Sequence, residues 1–233
     1  YIIILLYAKG VYIMAYQTKT IYPTGEVSHA RLLETSWALA RESSTSDSSS
    51  FSGPTKTYYS KRQSGGRGGT TYSNSRVFYI FILQSTLPYG AAIMSATFQV
   101  KYSSYAGASR IVSHTENSSL TSSEVYNDCL DGSNNMTAIS DEYTPTSTSA
   151  YTVVNINSTG LDLIKDVAGT EGDNAGVLSL ALVTEKDFDD VSSTDTTSDT
   201  NTIKSDDSIG SSDDPKIVIQ YEHPQPIWFG TNF

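Results

Sequence analysis

The residues with the clearest potential for chemistry in this sequence are its carboxylates. The richest run is Glu185–Asp190 (EKDFDD), and further aspartates follow at Asp195, Asp199, Asp206, Asp207, Asp213 and Asp214. A glycosidase holds two carboxylates about 5–10 Å apart across a cleft, and one of them has a raised pKa. No spacing in this region specifies such a pair, and aspartates among serines and threonines are typical of solvated loops. The sequence therefore predicts no catalytic residue, and we expect the chain not to be an enzyme.

A calcium ion is the second chemistry that the acidic run could support, because hard oxygen ligands suit it. Asp187, Asp189 and Asp190 flank Phe188 in a way that could place two carboxylates on one side of the chain. The run lacks the Asp-x-Asp-x-Asp-Gly loop with a following Glu that marks a calcium-binding loop. A calcium site and a solvated acidic loop both stay open at this stage, and no other cofactor is expected.

Cysteine and histidine usage excludes other kinds of site. Cys129 is the only cysteine, so neither an internal disulfide nor a cysteine-based zinc site can form. The three histidines, His29, His114 and His223, are far apart and lack a second ligand at metal-binding spacing. No Gly-x-Ser-x-Gly motif is present to support a serine nucleophile. We therefore predict ordinary imidazoles and no metal ligands.

Tyrosine is the other residue type that could bind a ligand here, since the chain has 16 of them. An aromatic ring offers a flat apolar face to a sugar, while Asn, Asp and Gln can bond its hydroxyl groups. The candidates for such stacking are Tyr58, Tyr59, Tyr72, Tyr102 and Tyr105. The alternative is packing on strand surfaces, because tyrosine has a high β-propensity. The sequence does not choose among these tyrosines.

The charge balance restricts the partners. Twenty-five acidic and 15 basic residues give a net charge of −10. A phosphate-backbone binder presents a basic face, so we expect no nucleic-acid partner. An anionic membrane surface is excluded by the same argument. Ser, Thr, Asn, Gly and Tyr must supply much of the uncharged polar surface.

Both ends of the chain differ from the rest. Residues 1–13 begin with the apolar run Tyr1–Tyr7, and the run Lys9–Met14 can be encoded by DNA that contains a ribosome-binding sequence before the Met14 codon. We expect residues 1–13 to be a translated leader or an N-terminal extension; a genuine strand and a membrane or signal segment are the alternatives. Residues 222–233 carry two prolines and several aromatic residues, which predicts an extended tail that docks on its own domain or on a partner.

Between these ends, the pattern is that of short strands joined by polar loops. Strands are predicted at Gln17–Tyr22, Arg76–Leu83, Ala91–Tyr102, Val153–Ile156, Val177–Val183 and Lys216–Tyr221, with shorter ones near Arg110–Val112 and Glu124–Tyr126. Gly160–Val167 has apolar residues at helical spacing and predicts one short helix, capped by Ser158 or Thr159. Arg41–Thr57 is predicted to be loop. This pattern is typical of one all-β domain over residues 15–221, an antiparallel two-sheet sandwich with a short helix.

The strand Arg76–Leu83 has an unusual pattern because it is apolar on both faces. Phe78, Ile80 and Ile82 lie on one side and Val77, Tyr79, Phe81 and Leu83 on the other. Such a strand needs cover on both faces. A loop, residues 1–13 or another subunit could cover the second face, and the sequence leaves these alternatives open.

The segment Ser75–Tyr102 resembles the core signature of DNRLRE-type jelly-roll domains. That signature has an Arg, an apolar strand, Leu-Pro-x-Gly-Ala and then Ile-x-Ser-Ala before a second strand, and it is matched here by Arg76, Phe81, Leu87, Pro88, Gly90, Ala91, Ile93, Ser95 and Ala96. Tyr151–Ile164, Asp213–Tyr221 and Ser36–Arg41 agree with further segments in order. Ile82 departs from the pattern, since it stands where the family has Asp.

The resemblance implies a jelly-roll β-sandwich and a function without catalysis. Relatives of this kind include phage and environmental structural proteins, so we expect a structural or attachment module on the surface of a phage-like particle, outside the cell. The alternative that it implies is a carbohydrate-binding module of a bacterial extracellular or cell-surface protein. The expected partners are other particle or surface proteins, further copies of the chain, or glycans.

Overall fold

A computed structural model of the chain describes residues 2–7, 10–50, 53–65, 69–83, 86–88, 91–115, 119–168, 176–194, 199–205 and 212–227. For residues 2–7, 10–15 and 223–227 it describes the backbone alone. In the described residues, no helix has the length and the apolar composition that crossing a bilayer requires.

Strands dominate the described residues, and helices are few and short. The strands are β1 (Ile2–Tyr7), β2 (Gly10–Ile21), β3 (Gly25–Glu34), β4 (Ser48–Ser50), β5 (Thr55–Gly65), β6 (Gly69–Ile82), β7 (Ala92–Ser104), β8 (Ser109–Ser113), β9 (Tyr151–Asn155), β10 (Val177–Thr184), β11 (Asp199–Lys204) and β12 (Lys216–Ile227). The helices are α1 (Trp37–Glu42), α2 (Ser158–Ala168) and α3 (Glu185–Phe188), with a 3₁₀ helix at Ser123–Asn127. All the strand pairs are antiparallel.

The strands form two layers that join at one corner. The first sheet runs in the order β1-β2-β12-β7-β9. In the second sheet, β6 pairs with β3, β5 and β10. Beyond these, β3 pairs with β4, β5 with β11 and β10 with β8. The layers connect where the end of β7 pairs with β11. The predicted all-β sandwich is therefore confirmed.

The interior lies between the two sheets. The Phe98 ring of β7 contacts the rings of Tyr79 and Phe81 of β6 at centroid distances of 5.6 and 6.2 Å. The alternation predicted for β7 is confirmed, since Ala96, Phe98, Val100 and Tyr102 are all buried. The predicted inward faces of β10 (Leu178, Leu180, Leu182) and β12 (Ile217, Ile219, Tyr221) belong to the same core.

The second apolar face of β6 is covered by a loop of the same domain. Phe78 and Ile80 pack into a smaller cluster with residues of the segment 119–138, among them Leu120, Val125 and Met136. Of the three alternatives that the sequence left open, the structure selects this local cover for Phe78 and Ile80. Ile82, at the end of the strand, remains 45% exposed.

Several elements differ from the sequence-based expectations. The strand predicted near Glu124–Tyr126 is wrong, because Ser123–Asn127 forms a 3₁₀ helix in which Val125 and Tyr126 are buried. The predicted cap of α2 is also wrong: the Asn157 side chain accepts from the backbone N–H of Gly160 at 3.0 Å. The strands β3, β4, β5 and β11 were not predicted, and β4 and β5 occupy part of the expected loop Arg41–Thr57.

At the chain ends, the backbone continues the first sheet. Strand β2 pairs with β12 from Ile21 opposite Ile217 to Val11 opposite Ile227, and β1 pairs with β2. Part of the expected tail 222–233 is therefore extended in β12. Residues 228–233, with Trp228, Phe229 and Phe233, lie outside the described residues.

Candidate functional site

The acidic run Glu185–Asp190 forms α3 and the turn after it, and its central carboxylate is fully buried. Arg76, on the neighbouring strand β6, donates from Nε to Oδ2 of Asp187 at 2.7 Å and from Nη2 to Oδ1 at 2.9 Å. The Arg76 guanidinium also donates to the backbone carbonyls of Tyr126 and Arg41, at 2.7 and 2.8 Å. Its positive charge and all three of its nitrogens are thus engaged inside the protein.

A second buried arginine reaches the same place from α1. The Arg41 Nε donates to the backbone carbonyl of Asp187 at 2.8 Å and lies 3.5 Å from its Oδ1. The Trp37 indole, one turn earlier, donates to Oδ1 of Asp190 at 3.0 Å. The side-chain hydroxyl of Ser36 caps α1 by accepting from the N–H of Leu39. The segment Ser36–Arg41 therefore docks on the acidic run.

We call Arg41, Arg76, Tyr126 and Asp187 the arginine hub. It joins α1, β6, α3 and the loop that covers β6, and the Arg76 guanidinium also lies 4.4 Å from the centre of the Tyr126 ring. Burial is the largest single effect on the pKa of Arg76 and acts to lower it. The attraction and hydrogen bonds to Asp187, added to the effects of Cys129 and Tyr126, outweigh burial and hold this pKa above its ordinary value. A buried ion pair with bidentate geometry and filled hydrogen bonds is costly to break from one side.

The hub bears on the calcium hypothesis for Asp187, Asp189 and Asp190. Asp187 faces two guanidinium groups, and a calcium ion at this carboxylate would have to displace them. The described residues contain no cluster of three or more His, Cys, Asp or Glu side chains that could hold a metal ion. The neighbouring Glu185 forms a two-point contact with Arg110, with Nε to Oε2 at 2.9 Å.

Other predicted carboxylates lie apart from the hub. Asp199 pairs with Lys186 at 2.9 Å and Asp213 pairs with Lys101 at 2.8 Å, while Asp214 is buried. Asp195, Asp206 and Asp207 lie outside the described residues. The predicted acidic residues thus lie at several separate places in the structure, and most of those described form an ion pair with an arginine or a lysine.

Two of the five candidate stacking tyrosines face the core. Tyr58 and Tyr102 are fully buried, and their hydroxyls lie 2.8 Å apart. Tyr58 also bonds Ser109, and Tyr102 bonds Tyr143. Burial raises the pKa of both Tyr58 and Tyr102. The expectation that Tyr58 and Tyr102 could stack on a sugar is wrong, because their rings are inaccessible.

Tyr59, by contrast, lies on the outer face of β5 in an open cavity of about 430 Å³. Alternate residues of β5, namely Thr57, Tyr59, Lys61 and Gln63, form a row along its floor, because successive side chains of a strand point to opposite faces. Thr200 of β11, directly opposite Tyr59, borders the floor on one side. Ser73 of β6, directly opposite Lys61, borders it on the other.

The wall of this cavity is a bulge in β3. The register of β3 against β6 shifts between Arg31 and Glu34, so Leu32 and Leu33 leave the ladder and reach the cavity. Leu33 has a φ of 55° and is 63% exposed. Its backbone N–H is held by the Ser73 hydroxyl at 3.0 Å. Bulges of this kind re-aim side chains and are frequent beside functional sites. We call this cavity the Tyr59 groove.

The two remaining candidate tyrosines lie outside the Tyr59 groove lining. Tyr72 is partly buried on β6, opposite Glu34 and Arg62. Tyr105 is 36% exposed, and its ring packs edge-on against that of Tyr102 at 6.2 Å. Tyr58 and Tyr59 are adjacent on β5 and therefore point to opposite faces of the sheet, which is why only Tyr59 reaches the groove.

The histidines and the cysteine are structural in the described residues. His29 is buried, with Nδ1 2.9 Å from the Ser46 hydroxyl and Nε2 3.0 Å from the carbonyl of Leu120. His114 packs edge-on against Phe78 at 5.3 Å. Burial raises the pKa of the Cys129 thiol to about 11, so it is protonated at neutral pH. The side chain of His223 lies outside the described residues.

A second cavity, of about 400 Å³, lies beside Cys129 and His114. Asp128, Asp131 and Ser179 also line it. Asp131 is committed to its own turn, accepting from the N–H groups of Ser133 and Asn135 at 2.7 and 3.0 Å. Burial thus keeps the one thiol of this cavity protonated at neutral pH.

Comparison with known proteins adds no family assignment. No protein-family model matches the sequence, and no curated protein is significantly similar to it.

Proposed function

We propose that the chain is a non-enzymatic structural or attachment module, exposed on the surface of a phage-like particle. The observation that carries this proposal is the arginine hub. The most acidic segment of the chain, where catalysis or metal binding would be expected first, uses its central carboxylate, Asp187, to tie distant elements together. Such a device favours a rigid scaffold that withstands proteases outside the cell.

The resemblance to DNRLRE-type jelly-roll domains supports the same proposal. Arg76 comes from the core signature, and Arg41 comes from the Ser36–Arg41 segment that was matched separately. These two segments meet at Asp187 in the structure. Separate parts of the matched pattern are thus coupled by physical contact.

An antibody against the purified chain can test the particle assignment. Particles from the source sample would be separated on a density gradient, and each fraction would be probed with the antibody and by peptide mass spectrometry. We expect the chain to sediment with intact particles that carry nucleic acid. Recovery only with cells or with free secreted protein would overturn the assignment.

A carbohydrate-binding module is the second candidate function, and the Tyr59 groove favours it. The groove combines a half-buried aromatic ring and two leucines with hydroxyl, amide and ammonium groups, which suits a sugar with an apolar face and polar edges. We expect Tyr59→Ala to abolish binding on a glycan array and Tyr105→Ala, a matched change outside the groove, to preserve it. Equal loss in both variants, or binding by neither the parent nor the variants, would remove this candidate.

A further inference from the structure

The Tyr59 groove has a charge that is unusual for this protein. Among the described residues, its lining contains one formally charged side chain, Lys61, and no carboxylate. The chain as a whole carries a net charge of −10. Three other cavities among the described residues have carboxylates in their linings: Asp128 and Asp131 in one, Glu26 in another, and Glu42, together with Arg31, in the third. A groove whose described lining carries one positive charge, on a protein that is acidic as a whole, favours an anionic ligand.

Lys61 is also available to such a ligand. No carboxylate within ion-pair distance of its ammonium is found in the described part of the chain. Two acidic groups beside the groove wall are already engaged: Arg31 contacts Glu34 at 2.8 Å and Asp47 at 2.5 Å. Asp47 also accepts from the N–H of Leu32 at 2.9 Å. Arg31 therefore offsets one of these two negative charges, and Lys61 is the one charged side chain among the described residues that line the groove.

The spacing of Tyr59 and Lys61 suits a sugar chain that runs along β5. The two residues are neighbours on one face of the strand, which places them about 7 Å apart. Side chains at that spacing can contact one unit of a sugar chain and the unit next to it. A ring stacked on Tyr59 would therefore bring a charged group of the same or the next unit to the Lys61 ammonium, with Gln63 beyond it.

We propose that the Tyr59 groove binds glycans that carry a carboxylate or sulfate group and that Lys61 is the residue that selects them. This inference rests on the carbohydrate-binding function proposed above. Tyr59 and the leucines of the wall supply contact with any sugar, whereas Lys61 supplies the preference for an anionic one.

The test is a glycan array that pairs uronate-, sialate- and sulfate-bearing oligosaccharides with their neutral counterparts. It would compare the parent chain with Lys61→Gln, Lys61→Arg and the control Lys19→Gln, which removes an exposed lysine of β2. Thermal unfolding midpoints would establish that all variants are folded. We expect Lys61→Gln to lower the affinity for anionic glycans about three- to fivefold, as for the loss of one exposed charge contact, and to lower the affinity for their neutral counterparts less. Lys61→Arg should retain the preference, and Lys19→Gln should behave as the parent.

The outcomes separate the two proposals. Binding that shows no preference for anionic glycans, or that falls equally in Lys61→Gln and Lys19→Gln, overturns the role of Lys61 while carbohydrate binding stands. Binding to no glycan on the array overturns both. Equal loss of neutral and anionic binding in Lys61→Gln would make Lys61 a general contact and would also contradict the proposed selection.

Discussion

Arg76 and Asp187 are 111 residues apart in the sequence, yet they form a two-point ion pair in the interior, with N–O distances of 2.7 and 2.9 Å and no exposure of either side chain. The pair connects the most apolar strand of the protein to its most acidic segment. Arg41 adds a second positive charge from α1, 3.5 Å from the same carboxylate. Asp187 is therefore part of what holds the fold together, and this argues for a structural use of the acidic run.

The first prediction concerns the loop that covers β6. Phe78→Ala should lower the free energy of unfolding by about 3–5 kcal/mol, because it opens a cavity between β6 and the loop 119–138. The matched change Ile82→Ala, on the same face of the same strand but 45% exposed, should cost less than about 1 kcal/mol. Urea unfolding of the two variants measures both values. Similar costs for the two changes would mean that the loop does not cover Phe78.

The burial of His29 makes the stability dependent on pH. Desolvation lowers the pKa of His29 below its ordinary value of 6.5, although the contact with the carbonyl of Leu120 acts in the opposite direction. The unfolded chain therefore binds this proton more readily than the folded protein does. The stability contributed by neutral His29 is present above pH 6.5 and is lost as the pH falls through the lowered pKa.

The measurement is the unfolding free energy of the parent chain and of His29→Gln between pH 7.5 and about pH 5. We expect the parent to lose stability on acidification more steeply than His29→Gln, because only the parent has the buried imidazole to protonate. A His114→Gln variant should retain the step that belongs to His29. Identical pH profiles for the parent and His29→Gln would contradict the buried neutral imidazole.

The third prediction concerns the effect of calcium on thermal stability. Because Asp187 is engaged by arginines, we expect the thermal midpoint of EDTA-treated protein to stay unchanged when excess calcium is added. A ligand that binds only the folded state raises the free energy of unfolding by RT ln(1 + c/Kd), where c is the free ligand concentration, so excess calcium would raise the midpoint if a site were present. A rise of more than about 4 °C, which corresponds to 1 kcal/mol or more at this chain length, would show a calcium site and revive that hypothesis.

The sandwich could be predicted from the sequence where one physical rule dominates. Strict alternation over Ala91–Tyr102 and the apolar run Arg76–Leu83 indicate strands directly, and the need for a second cover over β6 follows from its composition. Strands β5 and β11 could not be predicted from alternation, because polar residues such as Thr57, Ser60 and Thr202 leave no clear apolar face in their sequences. Their buried polar side chains are satisfied by partners far away in sequence, such as Ser60 with Thr184 and Asn201 with Ser109.

The candidate sites were harder to predict than the fold. Tyr59 differs from Tyr58 only by which face of an unrecognised strand it occupies. The groove wall depends on a bulge at Leu32–Leu33, and no local sequence pattern predicts that bulge. The partners of Asp187 come from α1 and β6, so they become visible only when the chain is folded.

The coupling energy between Arg76 and Asp187 tests the central claim most directly. A double-mutant cycle would compare the unfolding free energies of the parent, Arg76→Met, Asp187→Asn and the variant that carries both changes. Each single change should cost about 3–5 kcal/mol, because it leaves a buried charge without its partner. We expect the double change to cost less than the sum of the two by about 2 kcal/mol or more. Additive costs would mean that Asp187 does not depend on Arg76, and would contradict a structural role for the acidic run.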